Sequence, residues 1–464
     1  MAARTKVPAE LVQKVTDAYS MTERVLQFEA FFHALLILVL AGVGVAAPVE
    51  KADTPDAAKV SASEPARVIL SSEHAVTAER IAALPAEERP AWESYLARSV
   101  ERRRAEQAVL DAEVQAQGLA APQLAPEGKD FKLPSHPSAS WFGSDEARRL
   151  VATVLSFQTP SGGWSKAVRF DRGPRPPGMH WSSQTDPWHY TGTFDNRATT
   201  EELRLLAGAQ QAAARDDLRT AFLRGLDYIF DAQFPNGGWP QCYPLEGKYH
   251  DEITLNDNAM THILELLRDI AAGLSEFALV DDAHRTRARE AFAAGLRCIV
   301  KMQVAQNGQP AVWCAQHDPL TLAPAAARLK EPVSLSGGES GDLLLFLMRL
   351  PEPSPEVVRA IESALAWFER ARLTGLRLTQ RDGRSFYAAD PTATDAYWAR
   401  FYDIATGRPI FAGAQDGIIY DSFEEMWTHN HFGYDYYTRR PAELLTKERE
   451  RWRKLIAKGA AKKP

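Results

Sequence analysis

A repeated turn motif constrains the fold more than any other feature of this sequence. Residues 158–164 read "QTPSGGW", residues 233–239 read "QFPNGGW", and a looser version, "QVAQNGQPAVWC", begins at residue 303. Successive copies therefore start 75 (233 − 158) and 70 (303 − 233) residues apart. Recurrence at such a period is typical of one supersecondary unit that is used several times.

Each copy of the motif follows a predicted helix that ends in the glutamine. Apolar residues recur at helical spacing in "DEARRLVATVLSFQ", "DLRTAFLRGLDYIFDAQ" and "TRAREAFAAGLRCIVKMQ". Paired glycines allow the left-handed backbone angles that end helices, and Thr199 and Glu202 have capping-box spacing. Because strand signals are few and short, we predict an all-α fold. Helical hairpins would stack into an incomplete (α/α) toroid, or partial barrel, with long functional loops on one rim.

The bulk composition leaves room for a large core and for an anionic substrate. The chain has 464 residues, of which 45% are hydrophobic, and a formal net charge of −6. This balance argues against a nucleic-acid partner, which usually requires a basic surface, but a local cluster of Arg and Lys can still bind a polyanion. Cys242, Cys298 and Cys314 are too few for a disulfide framework and lack zinc-site spacing. A monomer is the default expectation.

The hydrophobic stretch "FEAFFHALLILVLAGVGVAAPVE" near the N-terminus is typical of a secretory signal. Its uncharged run ends in small residues, so we predict a leader over 1–46 that is cleaved near Ala46. Translation could begin at Met21, just upstream of the run. The protein would then be secreted or periplasmic. The alternative is a transmembrane anchor, which needs about 20 apolar residues, and the protein would associate with a membrane only if the leader were retained.

Composition divides the remaining chain into four segments. Residues 47–75 are small, polar and Pro-containing, which predicts a disordered linker. Residues 76–130 form a predicted helical extension that ends in a proline-rich break. Residues 131–440 would form the toroid, and residues 441–464 a basic, solvent-exposed tail.

Two Asp-Asn pairs precede predicted helices and suit a metal site. "GTFDNRATTEEL" contains Asp195-Asn196, and "ITLNDNAMTHIL" contains Asp257-Asn258, 62 (257 − 195) residues later. Either residue type can cap a helix, but capping explains only one residue of each pair. Oxygen ligands on two parallel loops suit a hard cation such as Ca²⁺. The pairs therefore predict a calcium site or, as the alternative, two helix caps.

Basic and aromatic residues on predicted loops offer contacts for an acidic sugar. Arg328, Lys330 and Glu331 precede a Ser/Gly turn and could equally form a solvated charge cluster. Arg400 stands among aromatic residues in "YWARFY", where it could clamp a carboxylate or stack as a structural residue. Four loop tryptophans could stack on sugar rings or belong to the core: Trp164, Trp181, Trp239 and Trp313.

Other catalytic patterns find little support in the sequence. Cys314 and His317 are close together, but residues three apart rarely form a nucleophile pair. P-loop, GxSxG and HExxH patterns do not occur. Terpene cyclases share Gln/Gly/Trp turns, yet their chemistry requires an Asp-rich protonation motif, for which this chain offers only "TDPW" at 185–188. The charged loops favour a sugar acid over a hydrocarbon.

Several longer motifs resemble the pectate lyases of polysaccharide lyase family ten. They are "FQTPSGGWSKAV", "TFDNRATTEEL", "FPNGGWPQCYPLEGKYHDEITLNDNAM", "VWCAQHDPLTLAPAAAR", "VSLSGGES" and "YWARFYDIATGRPIFAG". The resemblance implies an incomplete α/α toroid, in agreement with the repeat. It also implies cleavage of α-1,4-polygalacturonate by anti-β-elimination, in which Ca²⁺ bridges the substrate carboxylate, the C5 proton is removed and the product is 4,5-unsaturated.

Residue patterns and the resemblance together predict the site residues. Arg328 matches the family's proton abstractor. Because a free arginine keeps its proton at ordinary pH, desolvation and neighbouring cations would have to lower its pKa, which predicts an alkaline optimum. The predicted metal residues are Asp195, Asp257, Asn196, Asn258 and Glu339. The predicted substrate-binding residues are Arg400, Lys166, Lys330, Trp164, Trp239 and Tyr402. The expected cofactor is Ca²⁺, and the expected partner is an acidic polysaccharide such as pectin.

The chain departs from the family pattern at three places. Residues 414–416 read "AQD" where an Arg-Asp is expected, residues 429–431 read "HNH" in place of Glu-Arg-Arg, and Lys330 stands where a tyrosine is common. Each lost charged hydrogen bond would weaken the grip on a polyanion by roughly 1–3 kcal/mol. The alternative function is therefore a catalytically weakened or inactive pectin- or uronate-binding toroid, or an enzyme that prefers methyl-esterified pectin.

Overall fold

The computed structural model describes residues 66–68, 75–135, 137–184, 192–429 and 435–460. The predicted leader, 1–46, lies outside the described residues, as does most of the predicted linker, 47–75. The described residues belong to one compact unit, Pro65–Pro464.

Helices dominate this unit, as the sequence predicts. They are α1 Ala78–Ala82, α2 Arg89–Ala116, α3 Ala139–Phe142, α4 Asp145–Ser156, α5 Thr200–Ala212, α6 Asp216–Ala232, α7 Ala259–Ala271, α8 Asp282–Met302, α9 Glu339–Met348, α10 Pro355–Arg370, α11 Phe423–His429, α12 Arg440–Glu443 and α13 Arg449–Ala460. Side chains of Ser144, Asp281 and Ser354 cap the N-termini of α4, α8 and α10. Within the described part of the chain, no helix is both long and apolar enough to cross a membrane.

The longer helices pair into hairpins that repeat along the chain. Helix α5 packs against α6, α7 against α8, and α9 against α10. The first helices of these pairs, α5, α7 and α9, contact one another in that order, and the second helices, α6, α8 and α10, do the same. Two helical layers result, and large apolar residues from both belong to one core cluster. This architecture is the incomplete (α/α) toroid that the repeat predicted.

The repeated glutamine ties each turn to the next hairpin. Gln158 donates from Nε2 to Gly162 O in its own turn at 2.8 Å and to Ala221 O in α6 at 2.9 Å. Gln233 and Gln303 make the equivalent bonds to α8 and α10. Because these bonds satisfy buried carbonyls at the same place in three copies, the glutamine fixes the spacing of successive hairpins.

The tryptophan of each copy points into the core. Trp164, Trp239 and Trp313 are fully buried, and each indole N–H donates to a carbonyl of the preceding helix at 2.8 Å. The third copy lacks the glycine pair but keeps this contact, so the loose motif at 303 is a structural repeat. In the second copy, Gly237 has a φ of +98°, and a Cβ there would lie 2.3 Å from Ala294 O. That turn therefore requires glycine.

Short strands link the loops of the rim. They are β1 Gly192–Thr193, β2 Cys242–Tyr243, β3 Ile253–Thr254, β4 Ala305–Gln306, β5 Gln309–Pro310, β6 Gln316–His317, β7 Pro324–Ala325, β8 Leu335–Ser336, β9 Leu376–Arg381, β10 Arg384–Ala389, β11 Trp398–Ala399, β12 Phe401–Tyr402, β13 Phe411–Ala412, β14 Ile419–Tyr420 and β15 Tyr437–Thr438. Strands β9 and β10 form an antiparallel hairpin. The β1–β2, β3–β6 and β8–β12 pairs join loops that are far apart in sequence, which fixes the rim.

Both terminal segments pack against the toroid. Helix α2 carries Trp92 and Tyr95, which belong to the main core cluster, and the Tyr95 hydroxyl donates to Ala232 O at 3.0 Å. At the other end, α12 runs into α13 through a wider π-helical turn, Leu444–Glu448. The buried Trp452 of α13 belongs to the same cluster. The segment predicted as an exposed tail, 441–464, is described as far as residue 460, and that part contributes to the core.

Candidate active site

Two matching turns carry most of the predicted metal residues. Each is a single turn of 3-10 helix that follows a two-residue strand and leads into a helix of the first layer. Asp195–Arg197 precedes α5, and Asn256–Asn258 precedes α7. The two turns contact each other, and α9 contacts the second of them. The hairpins therefore bring the loops of three repeats to one point of the rim.

The two turns are equivalent with a shift of 61 residues (256 − 195), not the 62 that the Asp-Asn pairs suggested. The second and third residues of both turns have left-handed backbone angles, with φ between +50° and +69°. Asn256 therefore takes the place of Asp195, and Asp257 takes the place of Asn196. The aspartates lie at adjacent positions of equivalent turns, so the expectation that the pairs occupy equivalent points is wrong.

Left-handed backbone is concentrated around these turns. Besides the turn residues, Ala167 and Thr199 have φ values of +56° and +65°. Non-glycine residues adopt such angles at a cost of about 1–3 kcal/mol each, which is typical of functional sites. The Thr199 hydroxyl accepts the Trp164 N–H at 3.0 Å and donates to Thr193 O at 2.9 Å. It makes no capping bond to α5, so it does not complete the predicted capping box.

Asp195 is buried and only half satisfied. Its Oδ2 accepts a charged hydrogen bond from Lys166 Nζ, whereas its Oδ1 is buried without a hydrogen-bond partner. Because burying an unpaired carboxylate oxygen costs free energy, this atom is a candidate ligand for a cation. Lys166 meanwhile offsets part of the carboxylate's charge.

Asp257 lies in a cluster of opposite charges. Burial, together with the nearby carboxylates of Asp195 and Glu339, raises the pKa of Asp257. The guanidinium groups of Arg400 and Arg328 lower the pKa of Asp257. The structure therefore brings these five predicted residues, from widely separated parts of the sequence, into one electrostatic cluster.

Arg400 holds two polar residues of this cluster in place. Its Nη2 donates to Glu339 Oε1 at 2.5 Å and to Asn256 Oδ1 at 3.2 Å. Glu339 also accepts from the Ser336 hydroxyl. Asn256 in turn donates from Nδ2 to Asp257 Oδ2 at 3.0 Å. A chain of hydrogen bonds thus joins Arg400 to Asp257, and the charge of Glu339 is offset by the arginine.

Arg328 is held by a buried carboxylate. Its Nε and Nη2 donate to the two oxygens of Glu331 at 2.7 and 2.5 Å. The arginine side chain is 43% exposed, whereas that of Glu331 is 1% exposed, so the guanidinium can still be reached from solvent. Burial and the charge of Arg328 lower the pKa of the neighbouring Lys330. The predicted charge cluster is therefore built around an ion pair in which only the carboxylate is buried.

A cleft crosses the rim beside these residues. One cavity of about 650 Å³ is lined by Lys166, Asn196 and Asp257 and by part of the N-terminal extension. A second cavity of about 240 Å³ shares Asp257 and is lined by Glu339 and Arg400. Because the two cavities share a lining residue and together reach the size of small-molecule sites, they form one candidate binding cleft.

Asn258 has a partner of its own at the edge of the cleft. Its Nδ2 donates to Asp342 Oδ2 at 3.0 Å, and Asp342 also forms an ion pair with Arg440. These three residues line the second cavity. Asn258 thus connects the turn to α9 and α12, a contact that the sequence did not indicate.

Calcium would have to share its ligands with the substrate. Among the described residues, no group of three or more His, Cys, Asp or Glu side chains is close enough to hold a metal ion. The unpartnered Oδ1 of Asp195 and the nearby carboxylate of Asp257 nevertheless suit a hard cation. Two carboxylates supply only part of the roughly 6–8 oxygens that Ca²⁺ takes. The residues would therefore suit a calcium ion only if water and a bound carboxylate supplied its other ligands.

Three predicted sugar contacts are wrong. Trp164 and Trp239 are 0% exposed, and Tyr402 is 1% exposed. The Tyr402 hydroxyl donates to Ala371 O at 2.9 Å and accepts from the Ala399 N–H at 2.8 Å. Rings that are buried on all sides, with their polar atoms engaged by the fold, cannot stack on a sugar. Their role is packing, the alternative that the sequence left open for the tryptophans.

Cys314 and His317 also have a structural role. His317 Nε2 accepts from the Cys314 N–H at 3.1 Å, and its Nδ1 lies 2.9 Å from Leu322 O. Both side chains are buried, and burial raises the pKa of the Cys314 thiol. Since a reactive cysteine needs a thiolate, the pair is no nucleophile. All three cysteines are free and buried.

The positions that depart from the family pattern make local contacts where they are described. Asp416 Oδ2 accepts from the Tyr420 hydroxyl at 2.6 Å. His429 stacks on the same tyrosine, with ring centroids 5.4 Å apart. Asn430 and His431 lie outside the described residues.

Two residues gain roles that sequence reasoning did not assign. Asn256 links Arg400 to Asp257, and Glu331 orients Arg328. A signal existed for the first, because aligning "TFDNRA" with "TLNDNA" places Asn256 opposite the first aspartate. Nothing in the sequence indicates that Glu331 is buried, since it stands in a run of charged residues, Arg328, Lys330 and Glu331, that is equally compatible with a solvated loop.

Comparisons with known proteins agree with this fold and site. The profile of the family described as pectic acid lyase matches residues 158–445. A family 10 polysaccharide lyase from Cellvibrio cellulosa is 30% identical, with a TM-score of 0.57, over 70% of this chain and 98% of that chain. An aspartate-to-alanine mutant of a family 10 lyase from the same organism, in complex with trigalacturonic acid, is also 30% identical, with a TM-score of 0.58, over 68% of this chain and 97% of that chain. A search of curated proteins found no match. The chain belongs to the pectic acid lyases of polysaccharide lyase family 10.

Proposed function

We propose that this lyase cleaves α-1,4-polygalacturonate by Ca²⁺-assisted anti-β-elimination. The observation that carries the proposal is the pairing of acidic oxygens with cationic side chains at one point of the cleft. Asp195 and Asp257 offer oxygens to a cation. Arg328, Lys330 and Arg400 offer positive charge to a uronate carboxylate. The trigalacturonic acid bound to the related lyase supports the same class of substrate.

The reaction requires stabilisation of negative charge. Removal of the C5 proton, next to a carboxylate, builds an enolate-like dianion, and positive charge placed beside it lowers the barrier by several kcal/mol. Held by Asp195, Asp257 and the substrate carboxylate, Ca²⁺ would supply part of that charge. Arg400 provides a further positive charge, and its hydrogen bonds to Glu339 and Asn256 keep it oriented before substrate binds.

Arg328 is the proposed acceptor of the C5 proton. Its two bonds to Glu331 use Nε and Nη2, so Nη1 is the nitrogen that this ion pair does not take. Arginine accepts a proton only in its neutral form, which alkaline pH and neighbouring positive charge favour. The Glu331 carboxylate, by contrast, favours the charged form of Arg328. Activity should therefore rise with pH. After C5 loses its proton, the bond from C4 to the glycosidic oxygen breaks, a 4,5 double bond forms, and the departing oxygen takes a proton from water to become a hydroxyl group.

The direct test follows the unsaturated product by ultraviolet absorbance. The protein is incubated with polygalacturonate at alkaline pH, with a chelator and then with added Ca²⁺. We expect product to form, to stop with the chelator and to resume with calcium. Asp195→Ala removes the unpartnered oxygen and should raise the calcium concentration needed for half-maximal rate, whereas Asp282→Ala, at an exposed position of α8, should not. Product formation at an unchanged rate in the presence of the chelator would contradict the calcium proposal.

The alternative is a binding protein without turnover. The departures from the family pattern motivate it, because lost arginines would weaken catalysis or substrate grip. Retarded migration through a pectate-containing gel, combined with no unsaturated product at any calcium concentration, would favour this alternative over the enzyme.

Export and a monomeric state are further parts of the proposal. The hydrophobic leader over 1–46 supports export, although it lies outside the described residues. The intact mass of protein recovered from outside the cytoplasm should correspond to cleavage near Ala46. Recovery of the uncleaved chain with the membrane fraction would contradict export as a free protein. Light scattering after size-exclusion chromatography tests the monomer, and a dimer mass would overturn it.

A further inference from the structure

The segment 128–133, where the predicted N-terminal extension meets the toroid, builds one wall of the candidate cleft. Residues of the segment 128–133 line the same cavity of about 650 Å³ as Lys166, Asn196 and Asp257. This segment precedes residue 158, where the match to the family profile begins. The wall is therefore formed by a part of the chain to which the family match assigns no role.

The segment is held rigidly next to the site. The Gly128 N–H donates to Ala167 O at 2.9 Å, and the Arg169 N–H donates to Pro126 O at 3.0 Å. A Cβ on Gly128 would lie 2.7 Å from the carbonyl carbon of Val168, so the close approach of the two backbones requires glycine. Because Ala167 directly follows Lys166, these hydrogen bonds anchor the wall to the loop that carries the site residue Lys166.

Two side chains of this wall match the chemistry of a sugar acid. Lys132 is exposed, and no ion pair or hydrogen bond engages its ammonium within the described residues. Lys129, by contrast, pairs with Glu127 at 2.8 Å. Phe131 is half-buried and packs edge-on against Phe170, with ring centroids 6.2 Å apart. A uronate presents a carboxylate and an apolar C–H face, which suit a cation and an aromatic ring respectively.

The acidic residues of the cavity offset the positive charge of Lys132 only in part. Glu201 lines the same cavity and lies within electrostatic range of both Arg197 and Lys132. Arg197, which also lines it, is 55% exposed and lies 3.7 Å from Glu201. Glu202 is buried there without a cationic partner, and burial raises its pKa to about 8, which favours its uncharged form up to a higher pH than is usual for a carboxyl group. A polyanion entering the cavity therefore meets an excess of positive charge.

We propose that Lys132 and Phe131 form an additional subsite for a galacturonate unit away from the bond that is cleaved. The inference rests on the proposed function and deepens it, since it assigns the segment 128–133 a role in binding longer substrate chains. The cavity is of the size usual for small-molecule sites and adjoins the cluster of Asp195 and Asp257. A long chain would occupy both places, whereas a short oligosaccharide could bind at the reacting centre alone.

The test compares the binding of hexagalacturonate and trigalacturonate by calorimetry in the presence of Ca²⁺. It is made in the Arg328→Ala background, so that bound sugar is not consumed. Adding Lys132→Gln should weaken hexamer binding about tenfold, the usual size of one lost charged contact, and change trimer binding less than twofold. Lys132→Arg should retain the hexamer affinity. Lys454→Gln, at an exposed position of α13, is the matched control and should change neither affinity.

Each remaining outcome overturns the subsite. Unchanged hexamer affinity in Lys132→Gln, equal losses for both oligosaccharides, or no hexamer binding by the parent variant would all contradict it. The proposed function fails separately, if wild-type protein forms no unsaturated product. In that case the binding comparison still decides whether Lys132 belongs to a subsite.

Discussion

Replacing Arg328 with alanine tests the catalytic assignment and the packing of the site together. The guanidinium makes two charged hydrogen bonds to Glu331, a side chain that is only 1% exposed. Alanine would leave this buried carboxylate without either bond, and an uncompensated buried charge is strongly unfavourable. From the sequence alone, we would expect the variant to unfold at nearly the wild-type temperature. The ion pair changes that expectation.

The magnitude follows from the contacts. Charged hydrogen bonds contribute about 1.5–3 kcal/mol each, but Arg328 is 43% exposed, so water can partly replace it. We therefore expect a total loss of roughly 1–3 kcal/mol. With about 2.1 cal/mol/K of unfolding entropy per residue, a unit of roughly 400 residues has about 0.8 kcal/mol/K. The unfolding temperature should fall by about 1–4 °C. Turnover should fall by about 10²–10⁴-fold, the usual contribution of a general base.

A second substitution separates the two effects. In the Arg328→Ala background, Glu331→Gln removes the uncompensated charge and should recover part of the lost stability without restoring turnover. Calorimetric unfolding and product absorbance are measured on the wild type, on Arg328→Ala, on Glu331→Gln and on the double variant, which completes the cycle. Wild-type turnover in Arg328→Ala would refute the catalytic role. A double variant that is no more stable than Arg328→Ala would refute the account of the ion pair.

Three further predictions follow from burial and backbone geometry. Trp239→Phe removes the hydrogen bond from the indole to Ile229 O. It should lower the free energy of unfolding in urea by roughly 1–3 kcal/mol and leave KM unchanged. A raised KM at unchanged stability would instead support the sugar-stacking role. Gly237→Ala should destabilise the fold by more than about 2 kcal/mol. Gly308→Ala, where a Cβ meets nothing within 4 Å, should cost only about 1 kcal/mol. Equal losses of stability in the two variants would contradict the repeat geometry. Burial raises the pKa of Glu202 to about 8, so the stability that its protonated form provides is complete below about pH 4 and is lost as the pH rises through about 8. Glu202→Gln cannot ionise, so its unfolding temperature should depend less on pH and exceed that of the wild type at about pH 9; parallel pH profiles would show that the burial effect is absent.

The sequence predicted the toroid because its determinants are local and repeated. The glutamine and tryptophan recur at regular spacing, and each makes the same contacts in every copy. The same motif did not decide whether its tryptophans stack on sugar rings or belong to the core. Whether a loop ring such as Trp164 faces a sugar or the core depends on the neighbouring helices, which an isolated motif does not reveal.

The site was predicted less completely because its contacts join distant residues. Lys166 and Asp195 are paired across 29 residues of sequence, and Arg400 and Glu339 across 61, and no local pattern encodes such pairs. The one-residue shift between the two turns was missed because identical Asp-Asn letters were aligned. The strand that precedes each turn sets the true alignment and places Asn256 in the network.

A crystal structure with Ca²⁺ and an oligogalacturonide, obtained at acidic pH to suppress turnover, tests the central claim most directly. We predict a calcium ion bound by Asp195, Asp257 and a substrate carboxylate, with Arg328 Nη1 within about 3.5 Å of C5 of the sugar that would be cleaved. A sugar whose C5 faces away from Arg328, or a calcium ion bound without either aspartate, would contradict the account.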